Sequence, residues 1–173
     1  MMKQKITRLF LDFEKEEKWL NEMSAKGLNF VNYSFPRYSF EEGKPGEYTY
    51  RLELLEQFPS HAESKAYIKF MEENGIECVD TFFSWAYFRK KTSDGPFDIY
   101  TDRSSRIKHY KRIATLIGLV VIFNFAYGLF FGISLKNPLL SILNLAVAGL
   151  LIPLLLRFWK KIKSLEAESK IHE

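Results

Sequence analysis

A chain of 173 residues has room for one modest domain and a short additional module. It is 47% hydrophobic and 16% aromatic, yet 27% of its residues are charged, a mixture that implies two unlike parts. Residues 1–100 carry 14 Lys/Arg against 17 Asp/Glu and residues 101–173 carry 11 against 4, so the basic balance sits beside apolar segments and argues against a nucleic-acid-binding domain.

The first residues, Met1-Met2-Lys3-Gln4-Lys5, lack the apolar stretch of a cleaved signal peptide, and the domain that follows is expected to stay on the side where it is made. Lys5–Phe13 reads as a strand with Thr7, Leu9, Leu11 and Phe13 on one face. Glu14–Lys26 reads as a helix, acidic in its first turn, apolar at Trp19, Leu20 and Met23, and stopped by Gly27. Leu28–Phe40 is predicted as a strand in which Pro36 marks an edge or a bulge. After a turn over 42–46, Tyr48–Leu55 alternates as a strand. Ser60 is placed to cap a second helix ending at Asn74, and Ile76–Arg89 is the last strand. The order β-α-β-β-α-β over residues 1–100 predicts an α+β, ferredoxin-like domain.

An internal echo supports a doubled unit. Trp19-Leu20-x-x-Met23-x-x-x-Gly27-Leu28 returns 48 residues later as Tyr67-Ile68-x-x-Met71-x-x-x-Gly75-Ile76, and the match runs on through Val31/Val79, Asn32/Asp80, Phe35/Phe83 and Phe40/Phe88. In a ferredoxin-like fold two helices cover one sheet face and leave the other available. Alternation places Phe83, Trp85, Tyr87 and Arg89 on one side of the last strand, with Arg51 on a neighbouring strand. Such a surface suits a flat ligand, a peptide or a second copy of the domain. The competing reading is that Trp85 and Tyr87 complete the core.

Catalytic chemistry is not indicated. Cys78 is the lone cysteine and reads as a structural thiol. His61, His109 and His172 have no ligand partner at metal-binding spacing, and no phosphate-binding or nucleophile motif is present. Glu14, Glu16 and Glu17 fit a solvated first helical turn better than a carboxylate site. The expectation is a protein that is not an enzyme and uses no metal or cofactor.

A basic linker, residues 101–112, leads into Ile113–Ile133, 21 residues without a charge, which as a helix span ~31 Å, about one hydrocarbon core. After Ser134-Leu135-Lys136-Asn137 comes Pro138–Leu156, 19 uncharged residues with proline at the first helical position. The predicted element is a transmembrane hairpin over 113–156, followed by a basic tail, 157–173. Arg103, Arg106, Lys108, Lys111 and Arg112 precede it, Arg157, Lys160, Lys161 and Lys163 follow it, and only Lys136 lies between. The positive-inside rule then puts both chain ends in the cytoplasm and these cations beside lipid headgroups. Gly128 and Gly132 form a GxxxG pair suited to close helix approach, and Asn124 and Asn144 are polar groups at depth that can bridge the hairpin or link protomers of a homo-oligomer. With no ionisable residue inside either segment, no ion or proton path is implied.

The stretch EKEEKWLNEMSAKGL, then YSF, EYTYRLELL and WAYFRKK, resembles domain-of-unknown-function family 2812, small bacterial membrane proteins of the plasma membrane, over about residues 5–110. Genes of that family often neighbour PadR-type regulators. The resemblance implies a regulatory or interaction role in envelope stress or drug resistance, with a PadR-type regulator or a transporter subunit as protein partner. It carries no catalytic residues. A membrane-tethered small-molecule sensor and a transporter accessory subunit are the other functions it leaves in view.

Overall fold

The computed structural model describes residues 3–100 and 102–170; His172 lies outside the described residues. The chain divides into two compact units, residues 1–99 and 100–173. The first is an α+β unit and the second a pair of long apolar helices, as the sequence implies.

The first unit contains β1 (Lys3–Thr7), α1 (Phe13–Ala25), β2 (Leu28–Ser34), β3 (Arg37–Glu42), β4 (Tyr48–Leu54), α2 (Ala62–Glu73), β5 (Glu77–Phe82) and β6 (Trp85–Lys91). It is thus β-α-β-β twice over, with six strands where four were expected. Both long predicted strands are hairpins. One folds back at Phe35–Pro36 and the other at Phe83–Ser84. The first strand also ends earlier than predicted. Its ladder stops at Thr7 opposite Arg37, and Asp12, itself in extended geometry, caps α1 by accepting from the Glu14 N–H at 3.1 Å. The cap of α2 is His61, not Ser60.

The strands form two antiparallel sheets of the same order, β1-β3-β2 and β4-β6-β5. The 48-residue echo is visible in their registers. Leu28 to Phe30 pair with Glu42 to Phe40, the ladder slips at Val31, and Asn32 resumes opposite Ser39. Cys78 pairs with Phe88, the ladder slips at Val79, and Asp80 resumes opposite Tyr87. Both sheets therefore carry the same bulge at the same place. The helices end alike, at Gly27 (φ 78°) and Gly75 (φ 77°). At Gly27 the requirement is double, since a Cβ would also stand 2.8 Å from the Gly43 carbonyl oxygen. The equivalent residues Asn32 and Asp80 meet, with the Asn32 amide donating to the Asp80 carboxylate at 3.0 Å and the Tyr33 N–H to the same oxygen at 2.7 Å.

Two apolar clusters result. The larger joins Trp19, Leu20 and Met23 of α1 to Phe30, Tyr38 and Phe40 of one sheet and Tyr50, Leu52 and Tyr87 of the other. Its rings meet mostly at tilted and edge-on angles, as at Trp19–Tyr38 with centroids 4.8 Å apart, each such pair adding ~0.5–1.5 kcal/mol beyond burial. The smaller cluster sets Met71 of α2 with Leu55, Ala86, Phe88 and Phe97.

Helix α1 also closes the free edge of β4. The Glu17 carboxylate accepts the Leu52 N–H at 3.0 Å. Asn21 donates to the Tyr50 carbonyl at 3.0 Å and accepts the Tyr50 N–H at 2.9 Å. The Ser24 hydroxyl donates to the Tyr48 carbonyl at 2.7 Å. Helical positions 17, 21 and 24 share a face, and strand positions 52, 50 and 48 share an edge, so one row of side chains replaces a missing strand.

In the second unit α3 (Arg103–Ile133) and α4 (Pro138–Lys170) pack along each other. Pro138 takes the first helical position behind Asn137, whose side chain accepts the Leu140 N–H at 3.2 Å. Both helices are long and apolar enough to cross a membrane. Their most apolar 18-residue windows have mean hydropathy 2.2 and 2.5, and only 11% and 6% of those windows are buried within the protein. At ~46 and ~50 Å they exceed a ~30 Å hydrocarbon core. The excess forms a packed base in which Tyr110 meets Phe158 at a tilted angle, ring centres 6.0 Å apart, and Lys111 pairs with Glu166 at 2.6 Å.

Two predictions follow from this packing. Asn21→Ala leaves the Tyr50 N–H without its side-chain partner and the Tyr50 carbonyl with Arg51 alone, and should cost about 1–3 kcal/mol in chemical unfolding of the full chain in micelles, read by tryptophan fluorescence; a change under about 0.5 kcal/mol would contradict the edge role. A Cβ at Gly128 would stand 2.7 Å from Leu145 Cγ, whereas one at Gly149 meets nothing within 4 Å. Gly128→Leu should therefore cost the hairpin about 1–3 kcal/mol of overpacking while Gly149→Leu is tolerated, as measured by thermal loss of helical circular dichroism.

Candidate functional site

The acidic first turn of α1 is less solvated than its sequence suggests. Glu16 turns inward, where one oxygen, Oε1, accepts from two phenols: Tyr38 of β3 at 2.7 Å and Tyr87 of β6 at 2.8 Å. Tyr33 meets both rings at tilted angles, at centroid distances of 4.5 and 5.7 Å. Burial raises the Glu16 carboxyl above its ordinary range against the lowering effect of the two hydroxyls, and burial beside that carboxyl raises the phenols of Tyr38 and Tyr87. Glu17 is raised by burial as well, opposed by the Leu52 N–H and by Arg51. The cluster joins a helix and a strand of the first half to a strand of the second. Its rings are core, and its chemistry is that of a buried hydrogen-bonded clasp.

The arginine and aromatic set on the second sheet is engaged within the domain. Tyr87 is 3% exposed in the larger core. Trp85 packs against that core and lies 5.5 Å from Phe13. Arg89 forks onto Glu77 at 2.9 and 2.8 Å and lies 4.3 Å from the centre of the Tyr48 ring. Arg51 pairs with Glu17 at 3.3 Å. Trp85, Tyr87 and Arg89 share the face that the second sheet turns to α1 and the first sheet, so its aromatic members serve as core, whereas Arg51, paired with Phe88, lies on the opposite face. Cys78 is half-buried, with its thiol pushed up to about 12 by burial and by Glu72, Asp80 and Glu77, which keeps it protonated and unreactive.

Four exposed apolar side chains lie instead on three neighbouring loops of the domain, with Phe58 and Phe70 exposed elsewhere, before and on α2. The Arg8 N–H donates to the Pro36 carbonyl at 3.0 Å, which brings the β1–α1 loop beside the first hairpin turn. Phe35 of that turn stacks on Phe82 at 6.1 Å, and Phe82 meets Phe83 of the second turn at 4.7 Å. Leu9, Leu11, Phe35 and Phe83 are 60%, 53%, 57% and 74% exposed. Phe83 also has φ 51°, a left-handed conformation that costs a bulky residue ~1–3 kcal/mol. The sequence carried one signal of these loops, the Phe35/Phe83 match. It went unread because both residues were assigned to strand interiors.

Along the hairpin, Gly128 faces Leu145 and Gly132 faces Ser141, so the GxxxG pair serves the contact between α3 and α4. The asparagines do not meet. Asn124 donates to the Val120 carbonyl and Asn144 to the Leu140 carbonyl, each at 2.8 Å within its own helix. The register that sets Gly128 against Leu145 leaves them about five residues, or ~7.5 Å, apart in depth. Among the flanking cations, Arg103 bonds the Glu168 carbonyl at 3.0 Å, Lys111 pairs with Glu166, and Lys161 and Lys163 lie 5.8 Å from the ring centres of Tyr110 and Trp159. Lys108, Arg157 and Lys160 are exposed, and Arg106 and Arg112 are partly covered. His109 is buried against the rings of Tyr100 and Tyr110. Among the described residues no group of three His, Cys, Asp or Glu is placed to hold a metal ion.

A family model described as protein of unknown function (DUF2812) matches residues 12–122, from the cap of α1 into the apolar part of α3. No curated protein and no solved structure matches the chain.

The carboxylate clasp generates a test with a defined sign. Because the folded state holds the Glu16 pKa up, its contribution is fully present below the unfolded carboxyl value and is lost as pH rises through the folded one. Glu16→Gln keeps an oxygen for both phenols and does not titrate. Wild type should therefore lose stability relative to Glu16→Gln as pH rises from 4 to 7. Glu16→Ala, which strands two buried hydroxyls, should lose about 2–4 kcal/mol throughout. Parallel unfolding curves for wild type and Glu16→Gln would contradict the raised carboxyl.

Proposed function

The chain belongs to the DUF2812 family of proteins of unknown function, and we propose that it is a membrane-anchored interaction protein. The helical hairpin is the anchor, and the apolar loops of the α+β domain form the surface that receives a protein partner.

The anchor reading is supported by two apolar helices whose side chains face outward rather than into a protein core. A soluble protein would expose Ile122, Phe123, Leu139, Ile142 and Leu150 to water over one continuous surface, whereas a bilayer covers them. The nine cations at the base of the hairpin, against Lys136 alone at its tip, support a plasma-membrane orientation with both ends cytoplasmic.

The observation that carries the docking reading is Phe83, an exposed aromatic held in a strained backbone conformation among Leu9, Leu11 and Phe35. Glycine would relieve that strain, so an exposed phenylalanine in this conformation favours a role outside the folded domain. A small-molecule sensor has less support, because the sheet face it would use is filled by Tyr87, Trp85 and their neighbours. A PadR-type regulator or a transporter subunit is the kind of partner the family resemblance suggests, in a regulatory rather than catalytic role.

A photoreactive amino acid in place of Phe83 should yield one discrete protein adduct in native membranes, absent when the probe replaces Lys44, and lost in Phe35→Ser. Adducts to lipid alone would replace the protein partner with the membrane surface. Phe83→Gly should stabilise the domain by about 0.5–1 kcal/mol by removing left-handed strain, yet weaken partner capture at least about tenfold, a loss of 1.4 kcal/mol. A stabilised variant with unchanged capture would sink this reading.

A further inference from the structure

The packed base of the hairpin contains a groove of about 600 Å³ between α3 and α4, within the ~300–1,000 Å³ range of small-ligand sites. Its lining changes character along its length. Gly118, Ile122 and Leu155 form an apolar floor inside the charge-free stretches, and Lys111, Lys163 and Glu166 stand at the other end, two, seven and ten residues beyond them. Gly118 holds the floor open. A Cβ there would meet nothing closer than the Leu155 methyls at 4.0 Å, whereas Gly128 and Gly132 are closely filled by Leu145 and Ser141.

We propose that this groove is a binding site for an anionic phospholipid, with an acyl chain along Gly118, Ile122 and Leu155 and the phosphate at Lys111 and Lys163. The inference rests on the membrane reading above and adds a specific ligand to it. Charge and depth agree. The apolar floor lies where acyl chains lie, and the two ammonium groups lie at headgroup level, one on each helix. Glu166 tempers the site. Its carboxylate holds Lys111 at 2.6 Å, so the lipid phosphate competes with it for that lysine while Lys163 approaches from the other helix. The two lysines and one glutamate favour an anion over a zwitterion, and the opposing roles of Glu166 and Lys163 give the site a signature that general electrostatic attraction lacks.

The test uses the full chain purified in detergent, offered phosphatidylglycerol and phosphatidylcholine of matched acyl chains, with retained lipid counted by native mass spectrometry. Wild type should retain phosphatidylglycerol about tenfold over phosphatidylcholine. Lys163→Gln should cut that preference about fivefold, and Glu166→Gln should raise it, the opposite change. Gly118→Leu, which fills the floor, should lose both lipids while keeping its helical circular dichroism. Equal retention of the two lipids, or unchanged retention in Gly118→Leu, overturns the proposal; so does a switch in Gly118→Leu from dimer to monomer with its lipid unchanged, which assigns the groove to a second copy. The membrane reading is scored separately by alkaline extraction of cell membranes. Protein released by carbonate fails both readings, and protein retained without lipid selectivity fails this one alone.

Discussion

The α+β domain depends on how one helix treats the edge of one strand. β4 ends its sheet and would present unpaired amides and carbonyls to solvent or to another chain. Glu17, Asn21 and Ser24 meet that need from successive turns of α1. Because α1 also rests Trp19, Leu20 and Met23 on the first sheet, closing the edge locks the two halves together. Glu16 reinforces the lock from the neighbouring position by holding one phenol from each sheet. Four polar residues of a single helix thus decide how two similar units join, and the aromatic core fills the volume they define.

Much of this was readable from residue order, and the failures have specific causes. The 48-residue echo was visible because glycine stops, aromatic knobs and the Val31/Val79 positions recur together, and each has a structural counterpart in a left-handed cap, a core contact or a bulge. Pro138 announced the start of α4 because proline fits a first helical turn. The hairpin at 83–84 was hidden because tight turns normally advertise a left-handed residue with glycine or asparagine, and here phenylalanine takes that conformation. The one at 35–36 was half visible through Pro36, which was read as an irregularity within a strand. Glu16 and Glu17 were misread because a first-turn carboxylate looks the same in sequence whether water or a tyrosine hydroxyl solvates it. The arginines of the aromatic face likewise gave no sign that Glu77 and Glu17 would claim them.

The helical unit divides its small and polar residues by task. Gly128 and Gly132 are spent inside the hairpin, which leaves larger apolar side chains for the outer surface. Each asparagine donates from its side-chain amide to a carbonyl of its own helix rather than across the hairpin. The helices outlast a bilayer, and the turns beyond it change from apolar packing to aromatic and ionic contacts such as Tyr110–Phe158 and Lys111–Glu166.

The meeting of Asn32 with Asp80 reaches beyond local bonding. These two positions are equivalent in the repeat, so two separate copies of one half, joined in the same way, would set a residue against its own twin. Two aspartates there would repel, and two asparagines would lack the charge that draws in the Tyr33 amide. A chain carrying both halves can hold unlike residues at a symmetric position, which a pair of identical copies cannot. The same freedom lets Ser39 and Tyr87, or Glu41 and Arg89, diverge at matching sites. Carrying both halves on one chain breaks the symmetry of the pairing, so that a carboxylate of the first half can grip one phenol from each.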